Sequence, residues 1–195
     1  MKILIDNGHG YDTLGKCSPD KTLREYAYTR EIAKKVVDEL KSLGYDVERI
    51  VTEESDISLK ERVKRVNTIC DKIGKNNVIF ISIHCNAAGN GQWLNAKGWS
   101  AFTSKGNTKS DVLASCLYDV AKDVFKDRKI RTDYSDKDPD WEENFYVLHN
   151  TKCPAVLTEN FFMDNKDDVS YLLSEEGKNS IIKVHVNGII NYLKN

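Results

Sequence analysis

Residues 78–88 read VIFISIHCNAA, and no other stretch limits the possible folds so strongly. Val78, Ile79, Phe80, Ile81 and Ile83 form a short run rich in β-branched side chains. Such a run suits a strand covered on both faces, the usual state of a strand in the middle of a largely parallel sheet. It ends abruptly in polar groups, with His84 and Asn86 at what would be the carboxyl end of the strand. In open α/β sheets ligands bind at that edge. A histidine there has a structural reading as ready as a functional one, so His84 needs partners before it means anything.

The rest of the chain alternates. Lys2–Asp6 (KILID) predicts a first strand that breaks into Asn7-Gly8-His9-Gly10, a tight turn with a second histidine at a strand end. Residues 11–21 read as a loop. Thr22 opens a predicted helix with Ala27, Ile32, Ala33, Val36, Val37, Leu40 and Leu43 at three- and four-residue spacing, stopped by Gly44. Residues 45–51 predict a strand, and Ser58 with Glu61 predicts a capped helix carrying Leu59, Val63, Val66, Ile69 and Ile73 inward to Gly74. After the central strand come a Gly/Asn-rich loop over residues 89–97, a strand over 98–103 and a helix over about 110–125. Residues 127–144 have no sustained period and predict a long surface loop with a functional role. Residues 145–148 and 155–158 are short apolar runs flanking a turn at 151–154. A helix start near Asn165 and a last helix over about 178–193 complete the chain. This order predicts one α/β domain over residues 1–195, with a mainly parallel, mixed sheet of five to six strands and helices on both faces.

Composition narrows the function classes. A hydrophobic share of 40% and a charged share of 30% describe a globular chain, and a formal net charge of −1 gives no electrostatic basis for binding nucleic acid or anionic membranes. No apolar run approaches the roughly 18 residues of a membrane span. Five widely spaced cysteines with no CxxC pair are expected as free thiols. The start MKILIDNGHG is too short for a signal-peptide core, so the expectation is synthesis in the cytoplasm without a leader.

Four polar residues stand at strand ends or a helix entrance: His9, Glu25, His84 and Glu159. Glu25 could be no more than the acidic half of a capping box with Thr22. Glu159 follows the apolar run Ala155-Val156-Leu157, where a carboxylate must be paired or at a solvated edge. His9, between two glycines, has little packing reason to be histidine. Together the four change the reading. Two histidines and a glutamate make a catalytic zinc set, and a second carboxylate is then free to act as a base. No contiguous HExxH motif is present; the ligands would converge from separate strand ends.

The motifs IDNGHG, LRE, SIHCNA and PAVLTENFFMDN occur in the order found in the zinc-dependent N-acetylmuramoyl-L-alanine amidases, and the chain resembles the amidase 3 family of autolysins and phage endolysins from Ile3 to its last helix. The resemblance implies His9, Glu25 and His84 as ligands of one zinc ion, Glu159 as the catalytic glutamate, and peptidoglycan as substrate. The hydrolysed bond would join N-acetylmuramic acid to L-alanine. Two departures from the family pattern stand out: Lys129 replaces a glycine in Asp127–Arg131, and Asn160 stands where a small residue usually precedes the aromatic. Asn86, Arg131, His149 and Asn160 are the expected substrate contacts, with Asn86 a further candidate for orienting His84. Trp93, Trp141 and Tyr146 could line a groove, whereas Trp99 is expected in the core and His185 as a satisfied structural residue.

A zinc peptidase acting on another acyl–amino-acid bond is the alternative enzyme. A non-catalytic cell-wall-binding module is the alternative from another class, disfavoured because all four polar residues are present. The expectation is a monomer without an appended cell-wall-binding domain, acting on the wall after release or export, as a phage endolysin does.

Overall fold

The N-terminal apolar run forms β1 (Lys2–Asn7), and β1 pairs in parallel with β2 (Val47–Arg49) on one side and β3 (Val78–Asn86) on the other. The structure, a computed structural model, describes residues 1–89 and 91–195. Asn90, within the loop expected over residues 89–97, lies outside the described residues. β6 (Ala155–Phe162) lies on the other side of β3, followed by β4 (Ser100–Thr103) and β5 (Trp141–Glu142), giving the order β2-β1-β3-β6-β4-β5. Only the β4–β6 pairing is antiparallel, so the sheet is mixed and mainly parallel, as expected.

Helices cover both faces. On one lie α1 (Glu25–Ser42), α3 (Lys109–Val124), α5 (Lys166–Leu173) and α6 (Glu175–Lys194); on the other lie α2 (Leu59–Ile73) and the single-turn α4 (Tyr146–His149). Alternation along β3 distributes the two cores: Ile79, Ile81 and Ile83 face the larger, Val78 and Phe80 the smaller. The central strand is thus apolar on both faces because both are covered. All five cysteines are free thiols. No helix among the described residues is long and apolar enough to cross a membrane.

Three details depart from expectation. Thr22 does not cap α1. Asp20 holds its N–H and hydroxyl, at 3.1 and 2.8 Å, and the helix starts at Glu25 behind Arg24, which gives no side-chain cap. Residues 145–148 are not an extended run, because residues 146–149 wind into α4. The stretch 127–144 contains a paired edge strand, β5, which a two-residue span cannot signal by periodicity.

Candidate metal centre

Three elements converge at the carboxyl edge of β1, β3 and β6. The turn after β1 carries His9 in the left-handed region (φ 59°), a conformation costly for a residue with a Cβ. Two arginines hold that turn by its carbonyls. Arg30 donates to His9 O at 2.8 Å, and the buried Arg62 donates to Asn7 O at 2.7 Å while pairing with buried Asp6 at 2.5 Å. Ser82 donates to the other Asp6 oxygen at 2.7 Å. Gly8 is required by close approach, since a Cβ there would lie 2.4 Å from the His84 ring.

Glu25 opens α1, where the helix dipole favours a carboxylate. It is buried, and the Cys85 N–H donates to its Oε1 at 2.9 Å. His84 Nδ1 lies 3.2 Å from the same oxygen, and His9 Nε2 lies 3.3 Å from Oε2. The imidazole rings meet edge to face, centroids 5.1 Å apart. Burial pushes the Glu25 carboxyl up, but the His84 contact and both imidazoles outweigh it and hold the group below the usual carboxylate range. Burial takes His9 down to about 4, so its imidazole is neutral at pH 7, with a lone pair to offer. One donor atom from each of the three residues lies within 4.8 Å of the others, the spacing of a metal site. Glu25 Oε2 is buried and receives no hydrogen bond, which fits a cation better than a donor-filled polar cluster.

Glu159 is paired in register with His84 across β3 and β6, so both side chains leave the same face of the sheet. Its Oε2 is also buried without a donor, and burial raises the carboxyl to about 8. A cavity of about 240 Å3 opens beside these groups. Leu59, Phe145, Val147 and Leu157 form an apolar wall, and Tyr146 and Lys16 stand at its margin. A carboxylate poised beside a cation site in such a cavity can take and return a proton while the wall excludes bulk water.

The other expected contacts do not gather here. Asn160 is fully buried beneath the sheet, donating to His84 O at 2.9 Å and accepting from the Trp99 indole at 3.0 Å, so it touches no substrate. It got there through a bulge: from His84 to Asn86 β3 advances two residues while β6 advances three, from Glu159 to Phe162, with Phe161 at φ 64°. Asn86 turns back on the Ala87 N–H at 2.8 Å and makes no side-chain bond to His84, so it does not orient that ring. His149 is exposed in a separate cleft with Lys75 and Pro154, near the opposite edge of the sheet. Arg131 stacks 5.0 Å from Phe162 and 5.6 Å from Trp141, outside the cavity lining. Trp93 is half-buried against the larger core, while Trp99 and His185 are buried in it, as expected for the last two.

Sequence reasoning missed Lys16 and the Asp6–Arg62 pair. Arg62 had a signal: it lies on the inward stripe of its helix with Leu59, Val63 and Val66, where a charge must have a partner.

The family described as N-acetylmuramoyl-L-alanine amidase matches residues 3–191. The endolysin of Bacillus phage SPP1 is 31% identical over 98% of this chain and 65% of its own length. The N-acetylmuramoyl-L-alanine amidase CwlM of Bacillus licheniformis is 30% identical over 97% of this chain and 67% of its own. The chain thus spans about two thirds of the length of these curated relatives. Among solved structures, the N-acetylmuramoyl-L-alanine amidase from Clostridium difficile 630 superposes with a TM-score of 0.82 at 26% identity, covering 100% of this chain and 97% of that one.

Proposed function

Because this chain belongs to the N-acetylmuramoyl-L-alanine amidase family, we propose that it hydrolyses the amide between N-acetylmuramic acid and L-alanine in peptidoglycan, with one zinc ion held by His9, Glu25 and His84. The observation that carries this reading is the triad of donor atoms, brought together from a turn, a helix start and the central strand beside a cavity that Glu159 also lines. Two imidazoles and one carboxylate are a donor set that suits catalytic zinc. When bound, zinc supplies a Lewis acid that lowers the pKa of water towards about 7 and polarises a carbonyl.

The protein's own groups do the rest. Arg30, Arg62 and the Cys85 N–H hold two of the ligands in place, so little reorganisation is needed on binding. Glu159 takes the proton of the attacking water and delivers it to the departing alanine nitrogen. The apolar wall shelters that transfer from solvent, and Tyr146 offers an aromatic face for a sugar or peptide plane. Similarity to an endolysin and to cell-wall amidases supports action at the wall.

The test pairs elemental analysis with release of free L-alanine amino termini from purified cell walls. About one zinc per chain and chelator-sensitive release are expected. Zinc without release would move the substrate to another acyl–amino-acid bond. No zinc after reconstitution would overturn the mechanism.

A further inference from the structure

On the other side of the antiparallel β4–β6 pair, the loop preceding β5 carries Asp136, Asp138 and Asp140 at alternate positions, and Asp111 faces them from the first turn of α3. Asp140 is 1% exposed. Its Oδ2 accepts from the Thr103 hydroxyl at 2.7 Å, and its Oδ1, buried, has no donor. The Asp138 carboxyl lies against it, with its own Oδ1 buried and also without a donor. Asp111, 6% exposed, accepts from the Thr108 N–H, and Thr103 lies within its reach. Among the described residues, no lysine, arginine or histidine forms an ion pair with any of the four.

Two carboxylates in contact, with two buried oxygens and no donor between them, are unstable as drawn. A buried acceptor left unsatisfied costs about 1–3 kcal/mol, and more when charged. Something positive belongs between them. We propose that Asp138 and Asp140, flanked by Asp136 and Asp111, form a second metal site, for a hard divalent cation of the Ca2+ class. Such ions take about six to eight oxygen ligands and tolerate irregular geometry. Alternating aspartates deliver the first ligands of an EF-hand loop in the same way. This is not that loop: Trp141 stands where its glycine would be, and Val147 where its closing glutamate would be. Here Asp111, from another element, supplies the flank. The close pair is the anchor, and the exposed Asp136 has only to fold inward.

The consequence reaches the groove. A cation there ties the loop to α3 and β4 at the point where the chain enters β5. Trp141, the next residue, packs on Phe102 at 6.4 Å, and Phe102 packs on Phe145 of the cavity wall at 5.4 Å. A shared proton is the competing occupant, because burial and the neighbouring acids raise Asp140 to about 8.

Terbium(III) separates the two, since it takes Ca2+ sites and is excited through a nearby indole, here Trp141. In zinc-saturated protein at pH 7.5, indole-excited terbium emission should saturate at one ion per chain and be competed by CaCl2. CaCl2 should also raise Tm by several degrees at about 100-fold over Kd. Asp138→Asn, at a half-buried position, should lose at least tenfold in terbium affinity and the calcium-dependent Tm rise, with zinc content unchanged. Asp140→Asn should do the same if it folds. Emission that is absent, or unaltered in Asp138→Asn, overturns the proposal, as does a Tm indifferent to CaCl2. A Tm that instead rises on acidification through pH 8, and loses that rise in Asp138→Asn, assigns the pair to a shared proton.

Discussion

Asn160 donates one Nδ2 hydrogen to the carbonyl of His84 at 2.9 Å and has no exposed surface of its own. Its second Nδ2 hydrogen goes to Thr158 Oγ1 at 3.1 Å, and Thr158 meets His185 Nε2 at 2.9 Å. His185 Nδ1 lies 2.7 Å from the Ile181 carbonyl, which only an N–H can satisfy, so Nε2 must accept and Thr158 must donate. A single proton order therefore runs from α6 through the sheet to the backbone of a proposed metal ligand.

Replacing Asn160 by alanine orphans the Trp99 indole and the His84 carbonyl. A loss of about 2–4 kcal/mol in stability is expected, together with weaker zinc binding. Denaturant unfolding and a zinc titration read both. KM of the zinc-loaded fraction should not change; a raised KM with intact stability would restore Asn160 to the substrate groove.

Gly8→Ala should cost the metal while leaving the sheet intact. The new methyl would meet the His84 ring at 2.4 Å, so the ring must move away from Glu25. Zinc per chain is expected to fall from about one towards zero with little change in circular dichroism. Wild-type zinc affinity would mean the ring has room to give.

Glu159→Gln should keep zinc and lose hydrolysis by about 100-fold or more, since the amide cannot accept the proton. His84→Ala should lose zinc and activity together. Amino-terminus release measured beside metal content separates the two, and undiminished activity in the glutamine variant would remove Glu159 as the base.

Arg62→Met leaves Asp6 buried without its cation and the Asn7 carbonyl without a donor. Breaking a buried pair on one side costs about 3–5 kcal/mol. Chemical denaturation should show that loss, and Asp6→Asn added to Arg62→Met should recover part of it.

His185 makes stability fall in acid. Burial lowers it from an ordinary 6.5 to about 4, so the unfolded chain takes up a proton before the folded one does. Its contribution is complete above pH 6.5 and is lost as pH falls towards 4, by up to about 3 kcal/mol across that window. His185→Gln should flatten the unfolding free energy over that range; an unchanged slope would assign the acid sensitivity to other groups.

The sheet and the four polar residues were legible because each leaves a local trace. A run apolar on both faces, a Gly-His-Gly break and a carboxylate ending a buried strand all register in a single stretch. Asn160 was misread because the sequence cannot show a bulge. One extra residue in β6 turns the side chain after Glu159 into the core instead of the groove. His149 was misplaced for a related reason: residues 146–149 wind into one turn of helix and leave Tyr146 at the cavity and His149 in another cleft. Lys16 had no trace at all, since an exposed lysine in a polar loop looks like any other.

The turn bearing His9 is fastened by Arg30 and Arg62 through main-chain carbonyls, and the imidazole takes no part in the fastening. Architecture and chemistry are therefore separable at this position. Asparagine or glycine, both at ease with positive φ, could replace His9 and leave the groove folded. Inactivation in this lineage needs no loss of shape, and a silent descendant would keep a ready-made cleft for whatever its ancestor cut.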